Sequence, residues 1–201
     1  MENNKNIRCA GALFVLVMML YMTGDALLTK QAAIGGLLLI ANSLSAMAIA
    51  ALLYPMLAAQ SKAGALAYLA FRITEGILLM IGMVFLLLPY YAPSDTAIPV
   101  ETLTSIAKKL NYLMYQTGML SLGIGGIVCS RLLYKSSLIP KWLSAWGIAG
   151  YSLLGIGCML ELSGYPYGIL LSAPGGLFEL VLGIWLMVKG LHRVPARIMP
   201  A

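Results

Sequence analysis

Long stretches of this chain carry no charge, and that spacing decides what it can fold into. Nineteen uncharged residues separate Glu75 from Asp95, 21 separate Lys109 from Arg131, 19 separate Lys141 from Glu161, and 31 separate Lys30 from Lys62. A helix crossing bilayer hydrocarbon needs about 20 mainly apolar residues, so each gap has room for one span. The first and last apolar runs bring the number to six, near residues 7–22, 36–57, 66–88, 111–132, 142–162 and 168–188. Hydrocarbon offers a backbone no hydrogen bonds, so segments of this length must satisfy their own amides as α-helices, whereas barrel strands run to about 10 residues. The expectation is an all-α, polytopic membrane protein, a single domain over residues 1–201. Composition agrees: 61% of residues are hydrophobic and 10% charged, against roughly 25% charged in a soluble domain.

Lys and Arg in short loops favour the cytoplasmic side. With both termini inside, the inner loops hold Lys5, Arg8, Lys62, Arg131, Lys135, Lys141, Lys189, Arg193 and Arg197, and the outer loops hold Lys30, Lys108 and Lys109. Tryptophans at 142, 146 and 185 then fall near the inner interface, and Tyr90, Tyr91, Tyr165 and Tyr167 near the outer one, where their amphipathic rings belong. The net charge of +6 therefore reflects topology and contact with anionic headgroups; the lipid bilayer is the expected partner and nucleic acid is not. The composition leaves room for a homo-oligomer.

Two segments are ambiguous. Only 16 residues separate Arg8 from Asp25, and a basic start before a short apolar run is also how a signal peptide reads. The bulky residues of "MLYMTGDALL" offer no small-x-small cleavage site, so a retained helix is expected. The longest loop, "PYYAPSDTAIPVETLTSIAKK", carries three prolines and then Ile98, Leu103, Ile106, Ala107 and Leu110 at helical spacing. It is read as an outer loop turning into a short interfacial helix; the alternative is a plain extension of the fourth span.

Much chemistry is excluded. One histidine, His192, cannot build a His-rich metal site, a bis-His haem site or a Ser-His-Asp triad. Cys9, Cys129 and Cys158 have no paired spacing for a disulfide framework or a zinc site, and no cofactor is expected. "LGIGGIVCS" lacks a P-loop lysine; Ser121, Gly125 and Cys129 within and around it instead form a small-residue stripe of the kind that lets membrane helices approach. "YMTGD" suggests an aspartyl protease only distantly, because Asp95 falls in a loop and leaves Asp25 without a buried partner.

What remains is a few charges inside spans. If the third span begins near Ala65, Arg72 lies roughly 10 Å deep and Glu75 about 15 Å deep. Residues three apart share a helix face, so the two can meet. Nine residues separate Glu179 from Lys189 and 17 separate it from Glu161, which gives a similar mid-depth position, and Gly176 and Gly183 flank it. A central charge costs about 2.5–3.5 kcal/mol on insertion scales, so such residues face the bundle interior and find partners. The functional reading is a polar centre of Arg72, Glu75 and Glu179 that binds an ionic group or a proton, with Arg72 gripping an anion. The plainer reading is a staple that locks the third and sixth helices in register. Asn42, Tyr115 and Gln116 are further candidate ligand contacts, although each alone is more often an interhelical hydrogen bond. Pro174 lies five residues before Glu179. It either breaks the helix beside an intramembrane acid or sits in the first turn of the last helix, with residues 168–173 as a loop.

"FRITEG" at 71–76, "YKSSLIPKWLSAWGIAGY" at 134–151 and "APGGLFELVLGIWLMVKG" at 173–190 resemble a large bacterial family of polytopic membrane proteins, the domain of unknown function 4386. The matching positions are Arg72 and Glu75, Pro140 and Lys141, and Pro174, Glu179, Trp185, Leu186, Lys189 and Gly190. Many members of that family carry a histidine near the start of the fourth span, where this chain has Asn111 and Gln116. The resemblance implies a bacterial cytoplasmic membrane location and no particular activity. Three functional classes follow from the residues: binding or transport of a small anionic or lipidic ligand, a structural or regulatory membrane subunit, and an intramembrane enzyme on a lipidic substrate. The last has no visible nucleophile-base pair to support it.

Overall fold

A computed structural model describes residues 2–28, 30–93 and 98–191. Asp95, His192, Arg193 and Arg197 lie outside the described residues. Six α-helices make up the fold: α1 (Glu2–Leu28), α2 (Ala32–Ala58), α3 (Lys62–Tyr91), α4 (Val100–Ser136), α5 (Lys141–Leu162) and α6 (Gly168–Val188). All six are long and apolar enough to cross a membrane, and the protein is a multi-pass membrane protein.

Short connections force each helix back alongside its predecessor. Consecutive helices pack together throughout, and α6 returns onto α1, so the bundle is a closed ring. Ring closure depends on absent side chains. A Cβ added at Gly11 would come within 2.7 Å of the Gly183 carbonyl oxygen, and one at Gly183 within 2.8 Å of Phe14 Cβ; backbone therefore meets backbone where α1 crosses α6. The outward faces carry large apolar side chains such as Leu37, Leu66, Val84 and Leu170, which suits lipid contact and would be a liability in water.

An even number of antiparallel passes puts Glu2 and Val188 at the same end, here the terminal end; the connections α1–α2, α3–α4 and α5–α6 lie at the opposite, loop end. Inside the ring the terminal end is filled by a dry core that includes Phe14, Ile49, Leu53, Leu57, Tyr68, Leu143, Leu182 and Leu186. At the loop end Glu161 ties three helices together: its carboxylate accepts a hydrogen bond from Tyr112 of α4 and one from the Gly168 amide at 2.9 Å. That amide belongs to the first turn of α6, where donors have no partner within the helix.

Several elements differ from expectation. The loop before the fourth span does not form a separate interfacial helix: Val100 to Ser136 is one 37-residue helix. No proline or glycine falls between Val100 and Gln116 to break it, and at 1.5 Å per residue it is about 55 Å long, well beyond the hydrocarbon core. Pro174 is not in the first turn of the last helix either. Residues 168–173 are helical and Pro174 sits inside α6, which leaves Glu179 near mid-helix. The first helix runs on past residue 22 to Leu28 and packs against both α2 and α6. The small-residue stripe on α4 faces α3, where the Ser121 hydroxyl donates to the Phe71 carbonyl at 2.8 Å and a Cβ on Gly125 would approach Phe71 Cβ to 2.7 Å.

Candidate functional site

Arg72 and Glu75 share the inner face of α3 and are 2% and 3% exposed, so hydration of either charge is replaced by protein. Arg72 Nη1 lies 3.0 Å from Glu75 Oε2 and 3.9 Å from Glu179 Oε1. Its Nε donates to the Ala46 carbonyl of α2 at 3.4 Å. Across the ring, the Tyr151 hydroxyl of α5 donates to Glu179 Oε1 at 2.8 Å. One guanidinium thus links α2, α3 and α6, and the tyrosine brings in α5. The Arg72–Glu75 contact is an ion pair by distance, yet no guanidinium N–H is aligned on Oε2, which is buried without a hydrogen bond.

Local packing explains why these groups converge. Gly76 follows Glu75, and a Cβ there would collide with Met47 and approach the Ser43 carbonyl to 3.2 Å, so α3 can close on α2 beside the charges. Tyr151 fits over Gly126 of α4, where any Cβ would overlap its ring. On its other side it meets the Phe178 ring edge-on, with centroids 5.6 Å apart at 77°. Those two contacts aim its hydroxyl at Glu179. Pro174 brings no backbone donor to α6, and its carbonyl accepts from Trp146 Nε1 at 3.1 Å, so Trp146 is turned inward and away from an interfacial role.

These groups floor a cavity of about 230 Å³ to which all six helices contribute, with Val17 and Tyr21 from α1, Asn42 and Ala46 from α2, Leu79 from α3, Tyr115 from α4, Leu154 from α5 and Gly176 from α6 among its walls. A Cβ added at Gly176 would meet nothing within 4 Å. A second cavity of about 50 Å³ shares Tyr21, Asn42, Leu79 and Tyr115 with the first and reaches Asp25 and Asn111. Because α1 and α4 carry Asp25 and Asn111 toward their loop-end portions, the second cavity lies on the loop-end side of the first. The rings of Tyr21 and Tyr115 line both, stacked with centroids 6.1 Å apart, and so stand at the junction. On the terminal side of Arg72 lies the apolar core.

A family model described as Domain of unknown function (DUF4386) matches residues 9–190. The chain belongs to this family. The match spans the ring from the first turns of α1 to the end of α6 and includes every residue of the charged centre. Comparisons with curated proteins and with solved structures gave no match. The family description names no activity, so the functional reading rests on the geometry.

Of the residues singled out from sequence, Arg72, Glu75 and Glu179 come together, and Asn42 and Tyr115 line the same cavity. Gln116 does not. It is buried outside both cavities. Neighbours on a helix point about 100° apart, and here Tyr115 takes the cavity-lining direction while Gln116 takes another. Sequence reasoning missed Tyr151 and Tyr21. For Tyr151 a signal existed: it lies mid-span, where a phenol hydroxyl far from either interface needs a buried partner. Among the described residues no group of three or more His, Cys, Asp or Glu is placed to hold a metal.

Proposed function

We propose that this protein binds a small or lipidic ligand within the membrane, in the cavity floored by Arg72, Glu75 and Glu179, and transports or presents it from the loop end. The observation that carries this reading is that the buried charged centre opens onto a space lined by every helix of the ring. A pair serving only to hold helices together gains nothing from a void beside it, because unfilled space forfeits packing contacts. The excess of basic residues in the loops at the terminal end supports placing both termini in the cytoplasm of a bacterium, so that the cavity faces outward across the plasma membrane.

A second reading has its own observation. Helices α3 and α6 are not neighbours in the ring, yet Arg72 and Glu179 approach across it; a cross-brace in a structural or regulatory subunit would use the same geometry. Purified protein in lipid nanodiscs, screened by thermal shift against lipids and small ions and amines, separates the two. Ligand binding predicts a stabilising compound whose effect disappears in Glu179→Gln. The brace predicts that Glu179→Gln and Arg72→Gln lower the melting temperature while no compound stabilises the parent protein.

A further inference from the structure

The two neighbouring cavities are lined by more negative than positive groups. Arg72 is the cation among their lining residues, and against it stand Glu75 and Glu179 at the floor and Asp25 in the outer cavity. Arg72 already has both floor carboxylates within 4 Å, so its charge is taken up by the protein. Glu179 Oε1 also accepts from Tyr151. Glu75 Oε2 has no hydrogen bond, its side chain is 4% exposed, and the residue lines the cavity. Its ion pair with Arg72 Nη1 at 3.0 Å balances charge without an aligned N–H, and a buried carboxylate oxygen short of a hydrogen bond is costly.

We infer that the cavity takes a monovalent organic ammonium about the size of a phenylalkylamine, with its N–H groups on Glu75 and its apolar part among Met18, Tyr21, Met22, Tyr115 and Met119. An ammonium brings three donors and one positive charge, which matches an oxygen that lacks an aligned hydrogen bond and a floor with two carboxylates to one guanidinium. Walls of tyrosine and methionine suit the remainder: tyrosine faces attract cations, and thioethers pack well against rings. Size limits the ligand. An engineered cavity of about 150 Å³ holds benzene, so one of about 230 Å³ accommodates a single ring and a short arm. This assignment rests on the ligand-binding reading above and replaces the anion expected from sequence with a cation.

Three probes with the same ring test it by calorimetric titration into the parent protein in nanodiscs at neutral pH: 2-phenylethylammonium, 2-phenylethanol and 3-phenylpropionate. The ammonium is expected to bind at least tenfold more tightly than either other probe, and Glu75→Gln is expected to erase that preference while leaving the alcohol unchanged. Preference in the parent protein needs no variant, so a Glu75→Gln chain that fails to fold does not protect the idea; Asp25→Asn, outside the floor, should then weaken the ammonium alone. Tighter binding of the carboxylate, or equal binding of the alcohol, overturns the cation assignment and leaves ligand binding intact. If none of the three binds, the assignment also falls, and the lipid screen described above decides whether the ligand-binding reading falls with it.

Discussion

The Tyr151 hydroxyl donates to Glu179 Oε1 at 2.8 Å, and that same oxygen faces Arg72 Nη1 at 3.9 Å. The shorter contact is the stronger one, so Tyr151 rather than Arg72 sets where the Glu179 carboxylate points. Tyr151→Phe keeps the ring against Gly126 and Phe178 and removes only the donor. Hydrogen bonds to charged groups contribute about 1.5–3 kcal/mol; Glu179 retains 14% exposure to the cavity, which favours the lower half of that range. Reversible unfolding in mixed micelles measures the loss directly.

Arg72 has more to lose. Removing one partner from a buried ionic group costs about 3–5 kcal/mol, because an uncompensated charge is left behind. Arg72→Gln should therefore destabilise strongly. Combining it with Glu75→Gln should recover part of the loss, since the orphaned carboxylate disappears. Arg72→Lys is expected to rescue poorly, because an ammonium cannot reach two carboxylates and the Ala46 carbonyl with the geometry of a guanidinium. A double-mutant cycle on unfolding free energies checks both expectations.

Glycines separate into those that close the ring and one that leaves it open. At Gly183 a new Cβ would lie 2.8 Å from Phe14 Cβ and 3.0 Å from the Gly11 carbonyl, so Gly183→Val should push α6 off α1 and cost about 1–3 kcal/mol. At Gly176 nothing lies within 4 Å. Gly176→Ala should be neutral or stabilising by about 0.5–1 kcal/mol through reduced chain entropy, while narrowing the cavity. The melting temperature should fall below the parent's for Gly183→Val and stay level with it or rise for Gly176→Ala.

The stacked Tyr21 and Tyr115 rings stand where the outer and inner cavities meet. Tyr115→Ala removes one of them and should raise the rate at which small solutes reach Arg72, by tenfold or more, with little change at positions outside the two cavities. Thiol-labelling rates at a cysteine placed in the inner cavity measure this.

Much of the fold was legible because hydrocarbon imposes a simple rule: four gaps between charges and the first and last apolar runs marked the six helices. Boundaries were less legible, since a helix does not have to stop where lipid ends; α4 continues from Val100 although only its later part was marked as a span. Arg72, Glu75 and Glu179 stood out because a charge in an apolar run needs a partner, and spacing by three put the first two on one face. The orientation of α4 was not readable, and with it the difference between Tyr115 and Gln116, because both lie in one polar patch. Tyr151 stayed hidden because its role depends on Gly126, 25 residues away, and on Phe178, 27 residues away in the opposite direction. Closure of α6 on α1 was hidden for the same reason: Gly11 and Gly183 mean little separately.

Ligand binding in the cavity requires that solvent from the loop end reach the buried charges. Gly176→Cys puts a thiol in open space beside Glu179, in a chain whose Cys9, Cys129 and Cys158 are replaced by alanine. A small cationic methanethiosulfonate reagent, applied to one side of sealed vesicles at a time, then reads access. We expect rapid modification from the side of the α1–α2, α3–α4 and α5–α6 connections, slowed by 2-phenylethylammonium, and none from the side of the termini. Modification only from the terminal side, or from neither side, would contradict the account.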